Sequence, residues 1–168
     1  ILNGINAYVD LPIGPLIASL SSATVATHVY YGGTDSWQRI FDFGSDTSVY
    51  MFLTPYQYLT GVVRFVIRTA SVDEQIVDGV SAMTVGWHNV AVVIDSTTMT
   101  LNLYLDGVLV GSAATTLLPK DLGSTTQNWI GRSQFIDVDP YFSGLIDDFR
   151  IYNRALSAGE LRYLAGDR

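Results

Sequence analysis

The chain has 168 residues, 48% of them hydrophobic and 15% charged, with no cysteine and a formal net charge of −7. That length and apolar content suit one domain with a substantial core. The acidic balance and the lone lysine, Lys120, argue against nucleic acid or an anionic membrane as partner, because phosphate binding needs clustered Lys and Arg. Without cysteine there is no disulfide framework, thiolate nucleophile or zinc–thiolate centre, and no apolar run approaches the roughly 20 residues that span a bilayer.

Alternation and short β-branched runs dominate, and helical periodicity is almost missing. Residues 6–12 ("NAYVDLP") predict a first strand stopped by Pro12, and 21–33 a second, ended by Gly32-Gly33. Residues 37–46 and 48–55 predict a hairpin around Gly44-Ser45-Asp46-Thr47. In 62–70, Val63, Phe65 and Ile67 alternate with Arg64, Val66 and Arg68, while "SVDEQIVDG" (71–79) reads as a loop. Residues 87–95 are apolar on both faces, as in a strand covered on both sides. In 100–114, Asp106-Gly107 supplies the positive φ angles of a type I′ hairpin turn. Leu101, Leu103 and Leu105 should face the core there, with Asn102 and Tyr104 opposite. Strands at 128–134 and 143–153 complete the set. A capping box at Ser157–Glu160 opens one terminal helix, with Leu161 and Leu164 as its apolar stripe. About ten short strands and one helix predict an all-β, two-sheet antiparallel sandwich forming a single domain over 1–168. The start at Ile1, without a leader, reads as a domain excised from a larger chain. Few charges and many Ser, Thr, Asn and Gln are a style common outside the cell.

"GWHNVAVVID…LNLYLDGVLVG", "NWIGRSQF" and "YFSGLIDDFRIYNRALSAGEL", with "AYVDLP" and "WQRIFDFG" before them, resemble the laminin-G-like, concanavalin A-like jelly-roll domains. The version appended to bacterial polysaccharide-degrading enzymes such as arabinofuranosidases is the nearest in pattern. The resemblance implies a jelly-roll sandwich from a secreted (extracellular or periplasmic) protein, with a neighbouring catalytic domain in the same chain. It also implies a structural calcium held by Asp147 and an N-terminal loop, here Asn3 and Gly4. Asn3 stands where the family usually has Asp, and Ala7 where many members have another, so ligand charge is reduced.

Asp147 and Asp148 sit inside an apparent strand. Only one can face inward, and Asp147 shares its strand parity with Phe149 and Ile151, so Asp147 is expected inside and Asp148 solvated or paired with an Arg. For sugars, recognition needs an aromatic face beside hydrogen-bonding groups. Trp37, Gln38, Arg39 and Asp42 supply these in one segment, and Tyr56, Gln57 and Tyr58 in another. Arg132, Gln134, Asp139 and Tyr141 form a third group, in a loop ordered by Pro140. The competing structural reading pairs Arg39 or Arg132 with Asp139 and puts Trp87 and Trp129 in the core. Catalysis is not supported: glycoside hydrolysis takes two carboxylates across a cleft, and the two glutamates, Glu74 and Glu160, form no such motif. His28 and His88 lie in apolar strands, and no nucleophile elbow is present. The sequence therefore points to a non-catalytic module that binds polysaccharide or oligosaccharide. A ligand-free spacer packing on a catalytic domain through Ile40, Val62 and Val66 is the alternative.

Overall fold

Strands with a two-residue period must each bury one face, and here they bury it against one another. The computed structural model describes residues 1–33 and 35–166. Its elements are β1 (Leu2–Asn3), β2 (Val9–Asp10), α1 (Gly14–Ile17), β3 (Ala23–Tyr31), β4 (Phe41–Asp46), β5 (Val49–Thr54), β6 (Arg64–Thr69) and β7 (Val72–Asp78). These are followed by β8 (Gly86–Asp95), β9 (Thr100–Leu105), β10 (Val108–Ala114), a 3-10 turn at Pro119–Leu122, β11 (Gln127–Ile130), β12 (Ser143–Tyr152) and α2 (Ala158–Leu164). One antiparallel sheet has the order β1-β12-β3-β8-β9-β10, the other β2-β11-β4-β5-β6-β7. The expected two-layer sandwich is what forms. Its core is filled from one side by Val25, Val29, Val90, Val92, Leu101 and Leu103, and from the other by Phe41, Phe43, Met51, Leu53, Phe65 and Ile67.

The two outer faces differ. On the first sheet, Ala26, Ala91 and Val93 point outward and are covered by Leu156 and Leu161, the latter on α2. This explains why β8 is apolar on both sides. The helix is capped by Ser157, whose Oγ accepts from the Glu160 N–H at 3.3 Å, while a Glu160 carboxylate oxygen accepts from the Ser157 N–H at 2.8 Å. Thr24, fully buried, donates to the Arg154 carbonyl at 2.9 Å and accepts from the Leu156 N–H at 3.0 Å, tying the approach to α2 onto β3. The β9–β10 turn has φ values of 51° at Asp106 and 75° at Gly107, as its sequence requires. Val66, expected in an exposed spacer patch, is buried on the second sheet, and Ile40 is buried in the core.

Three expectations are corrected. The first predicted strand is reduced to Val9–Asp10, and residues 71–79, read as a loop, contain the edge strand β7 with Glu74 on it. Asp147 does not face the core. It pairs with His28 on the outer side, and a bulge follows, because Arg150 pairs with Ala26. Asp148, at φ 53°, is the extra residue of that bulge. It resets the alternation so that Phe149 turns inward onto Phe41 and Phe43, with ring centroids 6.0 and 6.1 Å apart. Asp148 pairs with Arg150 at 2.7 Å, as anticipated.

Candidate functional site

The outer face of the second sheet has no helix over it. In register across it run Asp10, Trp129, Asp42, Phe52, Val66 and Ile76. Beside that row, Tyr50 pairs with Arg68. The opposite parity, Phe41, Met51 and Phe65, is spent on the core, so the aromatics on the outer side of β5 are buried by something other than the partner sheet. Tyr50, Phe52 and Val66 form a separate apolar cluster there, with Trp37, Ile76 and Phe135 packed against it.

Two segments rise over this face. The first carries Trp37, held at φ 64° with its N–H donating to the Tyr56 carbonyl at 2.9 Å. A positive φ on a bulky residue is strained backbone of the kind that clusters at binding sites. The second is the loop 131–142. Arg39 joins them. Its Nη1 donates to the Trp37 carbonyl at 2.7 Å, its Nη2 to Asp139 Oδ2 at 2.7 Å and its Nε to Asp42 Oδ2 at 3.4 Å. Its guanidinium lies 3.8 Å from the centroid of the Phe52 ring. Ser133 also donates to Asp139 Oδ2, at 2.8 Å. Asp42 accepts the Gln134 N–H at 3.0 Å and is fully buried; burial pushes its carboxyl up to about 7, against the pull of Arg39 and of that N–H.

Between the segments lies an open cleft of about 180 Å³, lined by Trp37, Arg39, Phe52, Glu74, Phe135 and Asp139. Phe135 stands edge-on to Tyr50 at 5.6 Å, and the Tyr50 hydroxyl donates to Glu74 Oε1 at 2.6 Å. Asp139 Oδ1 takes no donor from the described residues, which leaves a carboxylate oxygen for a ligand hydroxyl. Four buried side-chain polar atoms lack a partner among the described residues: Asp42 Oδ1, Arg68 Nε, Arg132 Nε and Gln134 Oε1. All four belong to this face or to the loop over it, whereas native structures satisfy nearly all such atoms.

Of the residues expected to bind sugar, Trp37, Arg39, Asp42, Gln134 and Asp139 do converge. Arg39, Asp42 and Gln134, however, are buried, so they hold the walls rather than touch solvent. Arg39 takes Asp139, as the structural reading allowed. Arg132 and Tyr141 form a separate group with Tyr8 and Trp129 at the β2–β11 edge. Tyr56 packs against the core, and Tyr58 is exposed on the neighbouring loop. Trp87 is half-exposed, and Trp129 is buried on the outer side of its sheet under Tyr8 and Arg132 rather than between the sheets. Phe52, Phe135, Tyr50, Arg68 and Glu74 escaped the sequence reading. The signal available for two of them was the apolar-on-both-sides pattern of 50–53.

Asn3 and Gly4 lie at one end of β12, while Asp147, further along it, lines a cavity with Leu2 and Ala7 of the N-terminal segment. Asn3 is paired with Ser143, four strand positions from Asp147, roughly 13 Å at 3.3 Å per residue. The Asn3 amide oxygen already accepts three backbone N–H groups at 2.9–3.1 Å. Asn3 Oδ1 is thus engaged by backbone donors, and no group of three or more His, Cys, Asp or Glu able to hold a metal occurs among the described residues.

The family model of the concanavalin A-like lectin/glucanases superfamily matches residues 3–162. No curated protein matches the chain. Among solved structures, it is similar to domain 4 of AbnA, an extracellular arabinanase from Geobacillus stearothermophilus, in complex with arabinotriose. The identity is 24% and the TM-score 0.80, covering 98% of this chain and 75% of that one. It is also similar to the CBM40 of a Ruminococcus gnavus sialidase bound to α2,3-sialyllactose, at 15% identity and TM-score 0.78, covering 98% and 96%. The NanB sialidase of Streptococcus pneumoniae matches at 20% identity and TM-score 0.75 over 96% of this chain but 27% of its own.

Proposed function

The chain belongs to the concanavalin A-like lectin/glucanases superfamily, and we propose that it is a non-catalytic carbohydrate-binding module that takes a short stretch of polysaccharide in the cleft between Trp37 and Phe135. The observation that carries this reading is the concentration of unpartnered buried polar atoms, beside the part-exposed rings of Trp37 and Phe135, on the sheet face that α2 does not cover. Trp37 and Phe135 offer ring faces or edges to a sugar over a buried floor of Phe52, while Glu74 and the free oxygen of Asp139 accept its hydroxyls. Because Arg39 clamps both walls, the cleft is preorganised, and little ordering entropy is lost on binding.

The carboxyls support binding rather than hydrolysis. Asp42 is sealed beneath the cleft and Asp139 is committed to Arg39 and Ser133, which leaves Glu74 alone at the rim where two free carboxyls are needed. The likeness to one part of a sialidase and to a domain of an arabinanase favours a place beside a catalytic domain in a secreted glycan-degrading enzyme.

Affinity electrophoresis and calorimetry against arabinan, xylan and β-glucan test the reading. Wild type should be retained by at least one polymer, and Trp37→Ala should lose at least about tenfold in affinity, the scale of one aromatic contact plus its buried area. Absence of retention on all three, or retention unaffected by Trp37→Ala, refutes it.

A further inference from the structure

At the opposite side of the same face lies a cation without a counterion among the described residues. Arg132 lies two residues past the end of β11, and its guanidinium carbon sits 4.3 Å from the Trp129 ring centroid, 4.6 Å from that of Tyr8 and 6.0 Å from that of Tyr141. The ring faces offset part of its desolvation but neutralise none of its charge. Its Nε is buried with no acceptor. Arg39, Arg64, Arg68, Arg150 and Arg154 each have a carboxylate within ion-pair reach, and Arg132 has none among the described residues. In a chain of net charge −7, a part-buried guanidinium left unpaired is out of keeping with how the molecule treats its other buried arginine.

We propose that Arg132 and the Tyr8, Trp129 and Tyr141 rings form a second subsite, which recognises the carboxylate of an acidic sugar residue. A guanidinium packed against aromatic rings and without an acceptor among the described residues has paired N–H donors, with the spacing of a carboxylate, left for a ligand. Tyr8, 41% exposed, adds an open ring against which a pyranose can lie. Asp10, opposite Trp129 in register and exposed, repels additional negative charge. The subsite therefore fits one carboxylate surrounded by hydroxyls, not a sulfated or phosphorylated polymer. Trp129, Asp42 and Phe52 are in register on adjacent strands, so this subsite lies two strand spacings, roughly 10 Å, from the cleft floor. The subsite goes beyond the cleft reading and does not depend on it.

Calorimetry at low salt with short probes tests it, since the net charge of the protein opposes long polyanions. The probes are trigalacturonate, its methyl ester, sialyllactose, lactose and arabinotriose. Wild type should bind trigalacturonate over its ester, or sialyllactose over lactose, by roughly 10- to 100-fold, the value of a charge-assisted hydrogen-bonded pair. The pair that shows the preference identifies the acid as a uronate or a sialate. Arg132→Gln should erase the preference and Arg132→Lys should keep part of it. Trp37→Ala should leave it intact, which separates this subsite from the cleft. Equal binding of acid and neutral partner in both pairs by wild type, a comparison that needs no variant to fold, overturns the proposal. So does a preference that survives Arg132→Gln. An acid preference with no arabinotriose binding would sink the cleft reading and leave this one standing.

Discussion

Asp42 makes the stability of this molecule fall as pH rises through neutrality, and Asp42→Asn should remove that slope. In the folded chain its carboxyl moves from 3.8 to about 7, chiefly because it is wholly buried. Arg39 and the Gln134 N–H pull it down without winning. A carboxyl that binds its proton more tightly folded than unfolded favours the folded state below the folded value and loses that contribution as pH rises towards it. A difference of about three pH units corresponds to about 4 kcal/mol, of which about 3 kcal/mol falls between pH 5 and pH 8. Urea midpoints for wild type and Asp42→Asn at those two pH values measure it. The wild type should be the more stable at pH 5 by about 3 kcal/mol relative to the variant's own change. Below about pH 4 the trend reverses, because Glu160, drawn down to about 2 by Arg154 and Ser157, and Asp46, lowered by Ser48, favour the folded state only while ionised. If wild type and Asp42→Asn show the same change from pH 5 to pH 8, the account of Asp42 as a carboxyl that burial holds protonated is wrong.

Three further outcomes are expected. Gly107→Ala should cost more than about 1 kcal/mol in chemical denaturation, because φ is +75° there and an added Cβ would stand 2.9 Å from the Arg162 backbone. Thr24→Val should cost about 1–3 kcal/mol and selectively increase amide exchange in α2, since both hydrogen bonds of the Thr24 hydroxyl hold the segment leading into that helix. Calcium and chelator should each leave the melting temperature unchanged, in wild type and in Asp147→Ala alike; a calcium-dependent rise lost in Asp147→Ala would restore the ion-binding reading of that residue.

The parts of the fold governed by near neighbours were legible. Asp106-Gly107 dictates its turn, Ser157 and Glu160 dictate the start of α2, and the outward Ala91 and Val93 announced that something covers β8. What escaped depends on distant residues. β7 reads as loop because Asp73, Glu74 and Gln75 suit strands poorly, yet an edge position tolerates them, with Arg64 of β6 pairing Asp78 at 2.7 Å. Parity placed Asp147 inside, since a one-residue bulge at Asp148 has no marker in the sequence. At the site, composition found Trp37, Arg39 and Asp139 but not their division of labour. Which of them faces solvent is decided by a loop a hundred residues away folding back over β4 and β5.

Because α2 lies over one sheet, the domain has a single side on which to meet a long polymer. The proposed cleft and Arg132 subsite would then address the same strand, giving one copy a valency of one. On that reading the domain gains avidity for a fibre or gel when copies are strung in tandem, where the linker sets the effective concentration of the second engagement.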